Sequence, residues 1–176
     1  MTQQPITRRP GTDEYFEYYG KYVDQVPEGD LHTMLEAQVP ELRSFFSHVA
    51  ESDASIPHAP YTWTIKQVIG HMIDAERIFA ERLHHFASGD FQPIPGMDQD
   101  IYVAAYDYAK PTLQSLVDEL LLCRQSTALL VRRLPPHAWD NRGIASDHPI
   151  TVRALAWILV GHINHHMSII SIRLGR

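Results

Sequence analysis

The stretch Thr151-Val152-Arg153-Ala154-Leu155-Ala156-Trp157-Ile158-Leu159-Val160-Gly161-His162-Ile163-Asn164-His165-His166-Met167-Ser168-Ile169-Ile170-Ser171-Ile172-Arg173-Leu174 is the last long apolar-periodic run of the chain. Leu155, Ile158, Leu159, His162, His166, Ile169 and Arg173 recur at three- and four-residue steps, so an α-helix carries them on one face. His162 and His166 sit one turn apart on that face, where a packed helix ordinarily carries leucine. An inward imidazole must find a partner, because burying an unpaired polar group costs a few kcal/mol (about 1 to 3). Two imidazoles at this spacing converge well on one divalent ion. The same pair also suits two core histidines hydrogen-bonded to neighbours, or a polar stripe at a subunit contact.

Composition narrows the rest. With 176 residues, 44% hydrophobic and 20% charged, the chain is long enough for one domain with a real core. It has 15 Lys and Arg against 21 Asp and Glu, a net charge of -6, and no basic run, which argues against nucleic acid as a partner. No apolar stretch approaches the roughly twenty residues that a bilayer demands, and the opening Met1-Thr2-Gln3-Gln4-Pro5 is unlike a signal peptide. The single Cys123 cannot form an internal disulfide and lies in an apolar run that leaves it inert. A cytoplasmic protein with no membrane partner is expected. Eleven histidines are the one compositional oddity.

Residues 1–29 are polar and aromatic without helical period, and Tyr15, Phe16, Tyr18, Tyr19 and Tyr22 read as an arm laid over a domain spanning 30–176, although an oligomer contact would use the same composition. Asp30 caps a first helix with Leu31, Met34, Leu35, Val39, Leu42, Phe46 and Val49 inward, and Pro40 predicts a bend near Glu36 rather than a break. Glu51 to Tyr61, with Pro57 and Pro60, reads as a loop. Thr64 and Gln67 fit a capping box for a second helix that runs to about Ser88 and carries His71 at the edge of its apolar side. Alone, His71 is more naturally a polar neighbour than a ligand. A long connection from Gly89 to Pro111 holds a short helix from Asp98 to Tyr106. Helix three opens at Pro111-Thr112 and stops at Pro135-Pro136. A turn-rich segment from Pro136 to Pro149 leads to Thr151, the cap of helix four. Four amphipathic helices without a strand pattern predict an all-α four-helix bundle.

The helix ends test whether His71 meets the pair. His71 lies roughly 10 Å along helix two from Thr64, at 1.5 Å per residue. His162 and His166 lie roughly 12 to 18 Å in from Leu174. Antiparallel packing of helices two and four therefore brings the three histidines to one level. The long connection between helices two and three lets those two run parallel, giving an up-down-down-up topology. Three histidines on one ion leave coordination positions open for water or substrate.

Trp63-Thr64-Ile65-Lys66-Gln67-Val68-Ile69-Gly70-His71-Met72-Ile73-Asp74-Ala75-Glu76-Arg77, then Thr151 to Leu155 and Gly161-His162 to His166, resemble the DinB/YfiT-like family of metalloenzymes. The likeness extends to Arg9-Pro10, to Val26 through Asp30 and to Pro95-Gly96-Met97-Asp98, nearly the whole chain. It implies an up-down-down-up bundle, a homodimer, and nickel or zinc on His71, His162 and His166, with His165 the weaker candidate. The wider superfamily includes bacillithiol transferases and mycothiol-dependent isomerases. The resemblance therefore implies a thiol-dependent S-transferase of small molecules using a divalent metal and a low-molecular-weight thiol. The alternatives are a metal-dependent hydrolase and a non-catalytic metal-binding stress-response bundle. Asp74 is a candidate to orient His71, with a place on the solvated side the preferred role. Arg82, Arg124 and Arg173 are candidates to bind a substrate carboxylate, with ion pairing to Asp or Glu the preferred role for each. Trp63, Tyr102 and His148 are candidates to line the mouth of the site, with packing the preferred role for Trp63 and Tyr102.

Overall fold

The structure is a computed structural model and describes residues 5–176, so Met1 to Gln4 of the expected arm lie outside the described residues. A 3-10 turn at Glu17–Tyr19 leads into α1 (Gly20–Val23), then α2 (Leu31–Phe46), α3 (Glu51–Ala54) and α4 (Ile65–Ala87). After α5 (Gln99–Ala104) and α6 (Leu113–Arg132) come a 3-10 turn at Pro136–Asp140, strands β1 (Arg142–Ala145) and β2 (His148–Thr151), and α7 (Val152–Arg173). The helix starts follow their caps. The Asp30 carboxylate accepts from Thr33 N, Thr64 and Gln67 close a reciprocal box, and Thr112 and Thr151 accept from Ser115 N and Ala154 N. α2 runs through Pro40 as one element.

Helix directions can be read from which residues meet. Glu51 accepts from both Lys66 and Leu113 N, in the first turns of α4 and α6, and Arg124 bonds Glu76 at 2.6 Å further along both, so α4 and α6 run parallel. Arg173 donates to Trp63 O while Phe79 lies edge-on to His162, so α4 and α7 are antiparallel. Gln38 donates to Val160 O and Arg176 to His48 O, setting α2 parallel to α7. Arg132 pairs with Glu36 and Arg43 with Asp118, setting α2 antiparallel to α6. The result is a four-helix bundle of up-down-down-up topology. The long connection holding α5 returns the chain across the bundle between its two parallel helices.

Three expectations change. Glu51 to Tyr61 is not wholly loop, because α3 occupies Glu51–Ala54 and its Glu51 carboxylate accepts from Lys66 and from Leu113 N. Residues 142–151 form a hairpin that the absence of a strand pattern did not announce. Its two-residue turn is Ser146-Asp147, with φ 52° and 64°, a conformation that such turns usually assign to Asn-Gly or Asp-Gly. Finally, α7 is long and apolar enough to cross a membrane by length and composition. Its apolarity has another cause. Every residue from Val152 to Ile163 is buried, with the neighbouring helices on one side and α1 and the hairpin on the others. A helix covered all round is apolar all round.

The arm is clamped at both ends. Glu14 accepts from Arg8, Gly11 N, Thr151 Oγ1 and Arg153, tying it to the start of α7. Burial pushes the Glu14 carboxyl up, but the Gly11 N–H, Thr151 and Arg153 together bring it below its ordinary value. Further along, α1 lies against α7 at Gly161, where a Cβ would stand 2.0 Å from Tyr22 O. The bare glycine lets two backbones touch, which sets Tyr22 over the next residue, His162.

Candidate metal centre

Three imidazoles converge in the middle of the bundle. His162 Nε2 stands 3.2 Å from His71 Nε2 and 3.1 Å from His166 Nε2, and one nitrogen from each ring falls within 4.8 Å of the others. His71 and His162 are buried, and His166 is the most open of the three. A neutral imidazole nitrogen offers one proton or one lone pair. His162 Nε2 therefore cannot make a full hydrogen bond with both neighbours, whereas one cation accepts three lone pairs at once. Ligand nitrogens at 2.0 to 2.1 Å from a tetrahedral ion are about 3.3 Å apart, close to the spacing found here.

The site also holds its histidines in the ligand form. Burial, with the nearby charge of His165, pulls His71 down to about 4. Burial, then His166, His71 and Arg124, holds His162 well below its ordinary value, and burial with His71, His165 and Lys21 does the same to His166. At neutral pH all three are uncharged and present lone pairs. Their titration carries a stability consequence. Because the folded pKa values lie below the unfolded value of 6.5, the unfolded chain binds more protons in between, and the stability present above 6.5 is lost as pH falls toward about 4. The metal-free protein is thus expected to melt progressively lower across that window. Glu14 and Asp30, both held low, add their loss only at more acid pH. A melting temperature constant from pH 6.5 to 4.5 in the metal-free protein contradicts this placement.

The surroundings sort the other candidates. His165 turns outward, its Nδ1 3.0 Å from Gln25 Nε2 and its ring edge-on to Tyr22. Asp74 does not reach His71: it lies 3.9 Å from Arg77, and His71 Nδ1 is buried without a partner. Arg124 is fully buried and bonded to Glu76 and to Leu159 O, so it is a structural ion pair beneath the histidines. Arg173 holds Trp63 O and lies over Tyr61. Trp63 packs on the His71 ring at 5.6 Å. Tyr102 is exposed, and His148 stacks on Phe16 at 3.7 Å. Neither lines the site. Cys123 is half-buried and its thiol is pushed up by burial.

A cavity of about 240 Å³ opens onto His71 and His162. Tyr18, Tyr19 and Tyr22 wall it from the arm, and Ala75, Ile78 and Phe79 from α4. Arg82, Met97, Gln99 and Ser146 complete it. No carboxylate is in the lining. The tyrosines, Met97 and Ser146 escape sequence reasoning because they come from an arm, a loop and a hairpin turn with no periodicity. The aromatic density of the arm was the one available signal.

A model of the DinB superfamily matches residues 34–170. The chain belongs to the DinB superfamily. No curated protein matches the sequence. Among solved structures it is similar to YfiT from Bacillus subtilis, described as a probable metal-dependent hydrolase with an unusual four-helix bundle topology. That match has a TM-score of 0.69 at 17% identity, covering 96% of this chain and 94% of that one. It is also similar to a mutant of mycothiol-dependent maleylpyruvate isomerase, with a TM-score of 0.65 at 12% identity, covering 87% of this chain and 62% of that one. At these identities the likeness concerns the fold.

Proposed function

We propose that this DinB superfamily member is a metal-dependent enzyme that holds one divalent ion, zinc or nickel, on His71, His162 and His166 and works as a thiol-dependent S-transferase of small molecules. The observation that carries the metal is the convergence of three neutral imidazole nitrogens, at 3.1 and 3.2 Å, beside a cavity. Such an ion supplies a Lewis acid that lowers the pKa of a thiol or water bound at an open position. The chain's own residues do the rest. The three histidines stay deprotonated at neutral pH, Phe79 and Tyr22 close around His162, and the tyrosines of the arm give the cavity an aromatic wall.

The lining favours thiol transfer over hydrolysis. A hydrolytic site of the usual kind places a carboxylate or histidine base beside the attacking water, and no Asp or Glu lines this cavity. A thiolate needs no such base once its proton is gone. Support for the general reading also comes from the fold shared with YfiT and with the thiol-dependent isomerase.

Elemental analysis of protein purified without a histidine tag is expected to find about one zinc or nickel per chain. Chelation should abolish conjugation of low-molecular-weight thiols to electrophiles, with added metal restoring it. The far-ultraviolet circular dichroism should survive chelation, because the four helices bury an extensive core without the ion. Collapse of the helical signal on chelation at neutral pH would make the ion structural. Ester hydrolysis without thiol conjugation would turn the reading to the hydrolase.

A further inference from the structure

Three arginines are buried among the described residues, Arg82 at 2%, Arg124 at 0% and Arg153 at 6% exposure. Arg124 is paired with Glu76, and Arg153 with Glu14 and Asp140. Arg82 has only neutral partners. Its Nη2 donates to Pro95 O and to Ser146 Oγ, both at 2.9 Å, while Nε is buried without a partner. The Phe79 ring centroid lies 5.8 Å from the guanidinium carbon. A guanidinium stays charged at any physiological pH, and a buried charge with no counter-ion is costly. Arg82 is therefore an incomplete ion pair, and it lines the cavity that reaches His71 and His162.

We propose that Arg82 is the anchor for the carboxylate of a small organic acid bound in this cavity, with the body of the acid against the aromatic wall and its far end toward His71 and His162. This deepens the reading of the cavity as a substrate site and names the substrate class. Three features fix the chemistry. The planar donor fork of arginine matches a carboxylate, its free N–H groups remain to be satisfied, and no acidic side chain in the lining competes for them. The walls of Phe79, Ile78 and the arm tyrosines suit an apolar body, and about 240 Å³ admits only a small one.

The test titrates the folded protein, metal-loaded and chelated in separate series, with benzoate, phenylacetate and hexanoate and with the neutral amide of each. Binding is read by calorimetry and by the rise in melting temperature. At least one acid is expected to bind ten or more times tighter than its amide, about the value of a charge-assisted pair. In Arg82→Gln that acid should lose about thirty-fold in affinity while its amide changes little. Arg82→Lys keeps the charge but loses the fork, and should weaken the acid about ten-fold, which keeps the test decisive if Arg82→Gln does not fold. An arginine that merely ties Pro95 to Ser146 would shift both ligands equally. No preference for any acid over its amide overturns the proposal, as does a preference unchanged in the variants. Binding that needs the ion and ignores Arg82 overturns it too and leaves the metal reading standing. Arg82-dependent binding by a protein that takes up no metal does the reverse.

Discussion

His162→Ala is expected to reduce metal affinity by more than about a hundred-fold, beyond the ten- to hundred-fold typical of residues that only support a ligand. His162 is the central member of the three, with its Nε2 within 3.2 Å of both other nitrogens. Without it His71 and His166 are left as a two-ligand site, too few for a stable zinc or nickel centre. The same loss is expected in His71→Ala and His166→Ala. His165→Ala should retain most of the ion, because that ring faces Gln25 and the edge of Tyr22. Metal content after dialysis, with circular dichroism as a check on folding, decides the matter. Stoichiometric metal in His162→Ala would remove the three-histidine centre.

Gly161→Ala is the second large effect, and it works through the arm. Alanine is intrinsically favoured over glycine in a helix by about 1 kcal/mol. Here the steric term opposes it and wins. The new Cβ would lie 2.0 Å from Tyr22 O, 2.5 Å from Tyr22 C and 3.1 Å from Tyr22 Cα, and backbone atoms cannot swing aside as a side-chain tip can. Either α1 lifts from α7 or α7 shifts, at a cost of about 3 kcal/mol or more, typical of severe overpacking. Tyr22 packs edge-on to His162 at 5.1 Å and walls the cavity, so the arm's displacement should also weaken ligand binding there. Gly96→Ala is the control, since its Cβ meets nothing closer than Ser146 Oγ at 3.5 Å. Denaturant melts should separate the two variants by well over 1 kcal/mol. Equal stability would mean that the arm contact is soft.

Much of the bundle was legible because its signals are local. Asp30, Thr64, Thr112 and Thr151 each start a helix by accepting a backbone N–H three residues on. Apolar spacing then marks the length of each helix. The up-down-down-up order followed from one long connection and from the arithmetic of 1.5 Å per residue, which set His71 level with His162 and His166.

The rest depended on contacts that no local pattern encodes. A two-residue turn at Ser146-Asp147 is made by two residues held at positive φ, with neither the Asn-Gly nor the Asp-Gly that usually signals it. The sequence presents Arg82 and Arg124 as equivalent cations on helices. Only packing separates them, because one rotates against Glu76 and the other reaches a cavity with no acid. Periodicity, capping and histidine spacing are properties of neighbours along the chain, so the sequence by itself determined the four helices, their order, the inward pair His162 and His166, and the level at which His71 meets them. The cavity wall assembles from residues within 18–22, 71–82 and 97–99 together with Ser146 and His162, far apart in the chain. Tertiary structure alone decided that wall and the unpaired charge of Arg82, because each depends on what side chains from separate segments leave unfilled when they meet.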